Sequence, residues 1–142
     1  MIYLDSSAIV KLIRIEPESP ALADWLNARN EPPVTSVLAE VEVPRALRRS
    51  APARLAAMPV VFARITRIEM DASVRATAGA YLTDTLRSLD AAHLATAEVL
   101  VAAGRTMTAF VTYDKRQAAA VEAVGLPVVI GHREEGFARF PV

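Results

Sequence analysis

The N-terminal seven residues constrain the fold more than any other stretch of this chain. Met1-Ile2-Tyr3-Leu4 is apolar, Asp5 ends the run, and two hydroxyl residues, Ser6 and Ser7, follow. A helical period then begins at once, with Ala8, Ile9, Leu12 and Ile13 on one face and Lys11 and Arg14 on another. Such a run reads as a buried parallel strand that delivers a carboxylate to the carboxyl edge of a sheet. Open α/β folds place their ligand sites at that edge.

The rest of the chain repeats the alternation. The first helix, from Ser7 to about Ile15, is broken by Glu16-Pro17-Glu18-Ser19-Pro20. Ser19 is an N-cap candidate with Pro20 at the first helical position, which predicts a second helix to about Arg29 carrying Leu22, Trp25 and Leu26 on one stripe. Val34-Thr35 reads as a very short strand. Ser36 is expected to cap a helix over 37–50, kinked at Pro44. Pro52 starts a short helical piece to Met58. Between Val60 and Met70 neither period dominates, and a short strand is placed near Ile65–Ile68. Asp71 caps a helix to about Tyr81, Leu89-Asp90 opens one that ends at Gly104, and Lys115 to Val124 forms the last. Strands at Thr106–Thr112 and Leu126–Ile130 flank that final helix. The tail from Gly131 reads as polar and loose, with Phe137 and Phe140 as candidate anchors and His132 uninformative. Strands separated by helices predict a twisted parallel sheet covered on both faces, a three-layer α/β single domain over 1–142.

Charge narrows the function classes. Sixteen basic and sixteen acidic residues give a formal net charge of zero, which excludes coating nucleic acid by bulk charge but allows a local basic rim. The absence of cysteine removes disulfides and thiolate metal sites. No apolar run approaches the roughly 20 residues of a membrane helix. The N-terminus has no basic segment before its apolar start, so a cytoplasmic protein with no membrane partner is expected.

Three aspartates stand where a helix begins: Asp5, Asp90 and Asp114. Any one alone reads as an N-cap. Each, however, has a hydroxyl neighbour able to cap in its place: Ser6 or Ser7, Ser88, and Thr112. Asp5 and Asp114 also follow strands directly, which puts them at one edge of a parallel sheet, and Asp90 can reach that edge. Glu42 adds an acid from inside a helix. Its neighbours Leu38, Val41 and Ala46 turn it inward, where an unpaired carboxylate is costly. Crowded carboxylates raise one another's pKa unless a cation is present. Hard oxygen ligands of this kind suit Mg²⁺ or Mn²⁺, and such an ion can activate a water for attack on a phosphodiester.

Four passages then carry a resemblance. They are Ile2 to Ala8, Thr35-Ser36 through Val41-Glu42-Val43-Pro44-Arg45-Ala46-Leu47, the continuous run from Leu86 to Ala97 that includes Asp90 and His93, and Val111-Thr112-Tyr113-Asp114-Lys115-Arg116. In this order and spacing the chain resembles PIN-domain ribonucleases, specifically the VapC toxins of type II toxin–antitoxin pairs. The resemblance implies that Asp5, Glu42, Asp90 and Asp114 are the acidic quartet that holds Mg²⁺, with Mn²⁺ as a substitute. Glu40 competes for the second place and is better read as a first-turn acid favoured by the helix dipole. Ser7 and Thr112 become hydroxyls that orient carboxylates or water. It further implies RNA cleavage leaving a 5′-phosphate and a 3′-hydroxyl, a VapB-type antitoxin as partner, and a homodimer.

Lys11, Arg45, Arg87 and Arg116 are candidate RNA-positioning residues beside the acids, against a reading as solvated helix faces. His93, three residues after Asp90, reads as a packed or hydrogen-bonded helix residue rather than a ligand. The Trp25 stripe reads as core, part of it open as an apolar patch. Two other functions fit an N-terminal aspartate less well. A haloacid-dehalogenase-like phosphatase would use Asp5 as nucleophile but usually has a second acid where this chain has Ser7. A non-catalytic α/β interaction module would leave every acid a cap.

Overall fold

In β1 (Ile2–Leu4) every side chain is buried, and alternate ones enter different cores. Ile2 and Leu4 join Ile9, Ile13, Leu22, Val43, Leu47 and Val111, while Tyr3 joins Val34, Leu94, Ala97, Phe110 and Val121. A strand that needs cover on both faces belongs in the middle of a layered sheet. That is its place in a computed structural model of the chain, which describes residues 1–131. β2 (Pro33–Ser36), β3 (Thr66–Ile68), β4 (Ala109–Thr112) and β5 (Val128–Ile130) are parallel to it, in the order β3-β2-β1-β4-β5. The expected α/β architecture holds, with five strands. Phe137, Phe140 and His132 lie outside the described residues.

α1 (Ser6–Arg14), α2 (Ser19–Asn27), α3 (Ala39–Ser50) and α4 (Met58–Phe62) supply one outer layer, with a 3₁₀ turn at Pro52–Ala57 between the last two. α6 (Ser88–Ala102) and α7 (Lys115–Ala123) cover the other face, and α5 (Ala72–Gly79) packs on α6. α6 is buried over seven consecutive positions, Ala91 to Ala97. It is apolar nearly all round because it lies between the sheet and its helical neighbours. No helix among the described residues is long and apolar enough to cross a membrane.

Strand order decides where the site can be. From β1 the chain winds outward through β2 to β3, then returns to lay β4 against the other side of β1. Leu4 is in register with Val111, and the Asp5 N–H donates to the Val111 carbonyl at 3.2 Å. The winding reverses between β1 and β4, and α/β sheets open a crevice beyond the carboxyl ends of strands at such a point. Asp5 and Asp114 are the residues at those two strand ends.

Several local expectations are corrected. Ser36 does not cap α3; it ends β2, its Oγ accepts the Leu38 N–H at 3.2 Å, and the helix starts at Ala39. Pro44 lies within α3, which continues through it. Ser19 is not an N-cap either. Glu18 precedes the helix, and the Ser19 hydroxyl donates to the Lys11 carbonyl at 2.6 Å while accepting the Glu16 N–H at 2.7 Å. The ambiguous stretch from Val60 divides into the end of α4 and the edge strand β3, whose Thr66 and Arg67 are exposed. An edge strand that buries little shows little periodicity. β4 begins at Ala109 rather than at Thr106.

Candidate active site

The turn from β1 to α1 is made at Asp5, which is extended (φ −78°, ψ 175°) and only 5% exposed. Its Oδ1 accepts the Ala8 N–H at 3.0 Å and the Ser7 hydroxyl at 2.6 Å, and its Oδ2 accepts the Thr112 hydroxyl. The turn from β4 to α7 has the same construction. Asp114 is extended there, and its Oδ1 accepts the N–H groups of Arg116 at 2.8 Å and Gln117 at 3.3 Å. Both acids therefore do cap their helices, and the expectation that neighbouring hydroxyls take over the capping is corrected. A carboxylate has two oxygens and about four acceptor positions, so one cap bond leaves room for other partners.

The hydroxyls instead stitch the two turns together. Ser7 Oγ donates to Asp5 and accepts the Tyr113 N–H at 2.8 Å; Thr112 Oγ1 donates to Asp5 and accepts the Asp114 N–H at 3.0 Å. Burial pushes the Asp5 carboxyl above the usual carboxylate range. His93, Ser7, Thr112 and the Ala8 N–H oppose that rise without cancelling it.

Glu42 reaches the same edge from α3. Its Oε1 accepts from the Ser6 hydroxyl at 2.7 Å and lies 2.7 Å from His93 Nε2. Burial alone would raise its pKa, but the hydrogen bonds from His93 and Ser6 and the nearby charge of Arg87 hold it below the ordinary value. Glu40, the competing acid, is exposed and ion-paired with Arg67 at 2.7 Å, on the edge strand. Asp90, in the first turn of α6, accepts from Arg87 Nε at 3.1 Å, and a terminal nitrogen of the same guanidinium meets Asp114 Oδ2 at 3.2 Å. Gln117 of α7 fixes this corner by donating to the Asp90 carbonyl at 3.1 Å.

The four acids come from four different elements to one sheet edge, yet they stand as two groups. Asp5 and Glu42 are linked through Ser6, Ser7 and His93, whereas Asp90 and Asp114 share Arg87. Among the described residues no three His, Cys, Asp or Glu side chains form a ready ligand set as they stand. In chemistry the donors do fit a hard divalent cation. Asp5 is a buried anion disfavoured where it is, and Asp90 with Asp114 already draws a positive group between its carboxylates.

The other candidates separate clearly. Lys11 borders the large cleft beside Ser7 and Glu42 but is mostly buried. It is 4% exposed, bonded to Glu18 at 2.8 Å and paired with Glu16. Ile15, in the left-handed region at φ 55°, turns the chain so that both acids fold back onto it. Arg45 is exposed and lines a cleft of about 850 Å³ together with Arg14, Arg49 and Lys115; Ser6, Glu42 and Asp114 lie on its wall. Arg116 is exposed and 3.8 Å from Asp114. Trp25 is core, while Leu26 lines a second cleft of about 590 Å³. Ser6 is the contact that the sequence did not single out for this site, and His93 is, as expected, a hydrogen-bonded helix residue, here facing Glu42. The signal for His93 was its place three residues after Asp90, one turn along α6.

Fold and site define a class: a parallel α/β protein with carboxylates gathered at the switch point of its sheet. The PIN domain family matches residues 2–123. Ribonuclease VapC35 of Mycobacterium tuberculosis (strain H37Rv) is 55% identical over 130 residues, covering 91% of this chain and 96% of that protein. Ribonuclease VapC46 of the same strain is 43% identical over 128 residues, covering 90% and 95%. Among solved structures, a toxin–antitoxin complex from Klebsiella pneumoniae aligns with a TM-score of 0.65 over 91% of this chain and 96% of that one, at 16% identity. VapBC2 from Rickettsia felis, bound to a DNA fragment from its promoter, aligns at 0.59 over 90% and 97%, at 15% identity. At those identities the alignments establish the fold. The chain belongs to the PIN-domain family and, within it, to the VapC ribonucleases.

Proposed function

We propose that this protein is a metal-dependent endoribonuclease that acts as the toxin of a type II toxin–antitoxin pair. The observation that carries the reading is the pair of turns after β1 and β4. The two turns, which carry Asp5 and Asp114, are cross-linked by Ser7 and Thr112, with Glu42 arriving from α3 and Asp90 from α6. These four acids would hold Mg²⁺, or Mn²⁺ in its place. A divalent cation bound there supplies charge for the developing phosphorane oxygens and lowers the pKa of a water. The chain's own residues do the rest. Thr112 and Ser7 hold the Asp5 carboxylate in one orientation. Arg87 neutralises the Asp90–Asp114 pair. Arg45 on the cleft wall, with Arg116 beside Asp114, would position the phosphates of a single RNA strand.

The relatives named as ribonucleases and the toxin–antitoxin complexes among the structural neighbours support a VapB-type antitoxin partner. The apolar wall of the same cleft, Val10, Leu38, Val41 and Leu89, gives such a partner a surface to cover. A homodimer is the assembly we assign, and sedimentation equilibrium of the isolated chain tests it.

Cleavage of RNA with Mg²⁺ and with EDTA, by the parent protein and by Asp5→Asn, tests the catalytic reading. Removing the metal or the Asp5 charge is expected to abolish cleavage while the variant stays folded by circular dichroism. Undiminished cleavage by folded Asp5→Asn would refute the assignment.

A further inference from the structure

A line of hydrogen bonds connects the core to Glu42. Tyr3 is fully buried on the α6 side of the sheet, its ring stacked on Phe110 at 4.8 Å and edge-on to His93 at 5.9 Å. Its hydroxyl is 2.8 Å from His93 Nδ1. The imidazole, only 2% exposed, crosses the carboxyl end of β1 to reach the opposite layer, where Nε2 meets Glu42 Oε1 at 2.7 Å and Ser6 Oγ at 3.1 Å. A carboxylate only accepts, so Nε2 carries the hydrogen in this contact. In the neutral ring Nδ1 is then an acceptor, and the Tyr3 hydroxyl is its donor.

Packing alone does not call for a histidine here. The buried run of α6 from Ala91 to Ala97 is otherwise alanine and leucine, apart from Thr96, whose hydroxyl bonds to the Ala92 carbonyl at 2.7 Å and also meets the Tyr3 hydroxyl. His93 is the side chain of that run that reaches Glu42, and both its nitrogens are engaged. A buried polar ring costs free energy that alanine or leucine would not.

We propose that Tyr3 and His93 are positioning residues for the acid site: Tyr3 fixes the tautomer and rotation of His93, and His93 with Ser6 pins Glu42 by Oε1, leaving Oε2 to ligate the metal. This rests on the reading of Glu42 as a site acid. Outer-shell partners that orient a ligating group typically change metal affinity 10–100-fold when removed.

Mn²⁺ affinity by titration calorimetry on the full chain tests the proposal, with thermal melting in EDTA as the second readout. His93→Leu is expected to weaken Mn²⁺ binding about 10–100-fold. His93→Gln, which keeps a donor for Glu42, is expected to restore most of it, and Tyr3→Phe to weaken it by a smaller factor. In the His93→Leu background Tyr3→Phe should have no further effect on Mn²⁺, because the ring it orients is gone. A purely structural role would lower the EDTA melting temperature and leave the Mn²⁺ affinity unchanged. That result for His93→Leu overturns the proposal, and if leucine at 93 does not fold, the same result for Tyr3→Phe overturns it. Glu42→Gln separates the two readings. If it loses Mn²⁺ binding while the His93 and Tyr3 variants keep it, only the positioning role fails. If Glu42→Gln itself keeps full affinity, Glu42 is no ligand and both fail.

Discussion

Replacing Ser7 by alanine removes one oxygen that serves both halves of the site. The hydroxyl donates to Asp5 Oδ1 at 2.6 Å and accepts the Tyr113 N–H at 2.8 Å. A hydrogen bond to a charged group contributes about 1.5–3 kcal/mol net, and a buried N–H left without a partner costs about 1–3 kcal/mol. Ser7 is half-buried, so water can replace part of what is lost, and the lower ends of both ranges apply. Their sum is about 2–3 kcal/mol. At about 3 °C per kcal/mol for a domain of this size, Ser7→Ala should melt about 6–9 °C below the parent in EDTA. The loss should also be local: amide exchange at Tyr113 should accelerate, because its N–H has no other acceptor among the described residues. Differential scanning calorimetry with hydrogen exchange read at Tyr113 is the assay. A fall of under about 2 °C with unchanged protection at Tyr113 would show that the two turns are not held together by this hydroxyl.

Two further outcomes follow from the same region. Because burial raises the Asp5 carboxyl above its unfolded value, the stability it contributes is present below the ordinary carboxylate range, near pH 4, and lost as pH rises through the folded value. In EDTA, Asp5→Asn should therefore melt above the parent at pH 7.5, and the gap should close toward pH 4; a gap independent of pH would contradict the buried-anion argument. Gly131 lies so close under the Tyr113 ring that an added Cβ would overlap it, while the Gly131 N–H donates to the Thr112 carbonyl at 3.0 Å. Gly131→Ala should cost about 1–3 kcal/mol by overpacking and change the near-ultraviolet tyrosine signal. In a Tyr113→Ala background the cost should vanish, and additive losses would show that the ring is not what resists the methyl group.

Where a residue sits relative to a strand end was legible in the sequence. Asp5 and Asp114 follow apolar runs directly, and parallel strands present their ends at one edge, so their meeting was foreseeable. Glu42 was legible through its apolar neighbours, and its spacing from Ser36 in the family pattern separated it from Glu40. What was hidden depends on the direction of a side chain or on contacts between distant segments. α6 is apolar nearly all round, so its periodicity cannot say which way His93 points. Lys11 looked like one of the charges on a solvated face because its partners, Glu16 and Glu18, come from a turn beyond the helix end at Ile15. The capping of Asp5 and Asp114 was posed as an alternative to a site role, and the geometry shows that a capping carboxylate keeps acceptor positions free for other partners. The start of α3 was missed because Ser36, a common capping residue, is used by the sheet instead.

The central place of β1 also fixes an order of events during synthesis. β2 is the first strand that can pair with it, but the other side of β1 stays an open edge until β4, whose residues align with β1 more than a hundred positions later. Pairings so distant in sequence form late, since the long loop must close before the contact rewards it. Asp5 emerges first from the ribosome and Asp114 near the end, so neither turn can be stitched to the other in a partly made chain. Truncated or stalled products therefore carry an acid without its counterpart and cannot assemble the proposed nuclease centre. For a protein whose proposed activity threatens the cell that translates it, completion of the sheet doubles as a safety interlock.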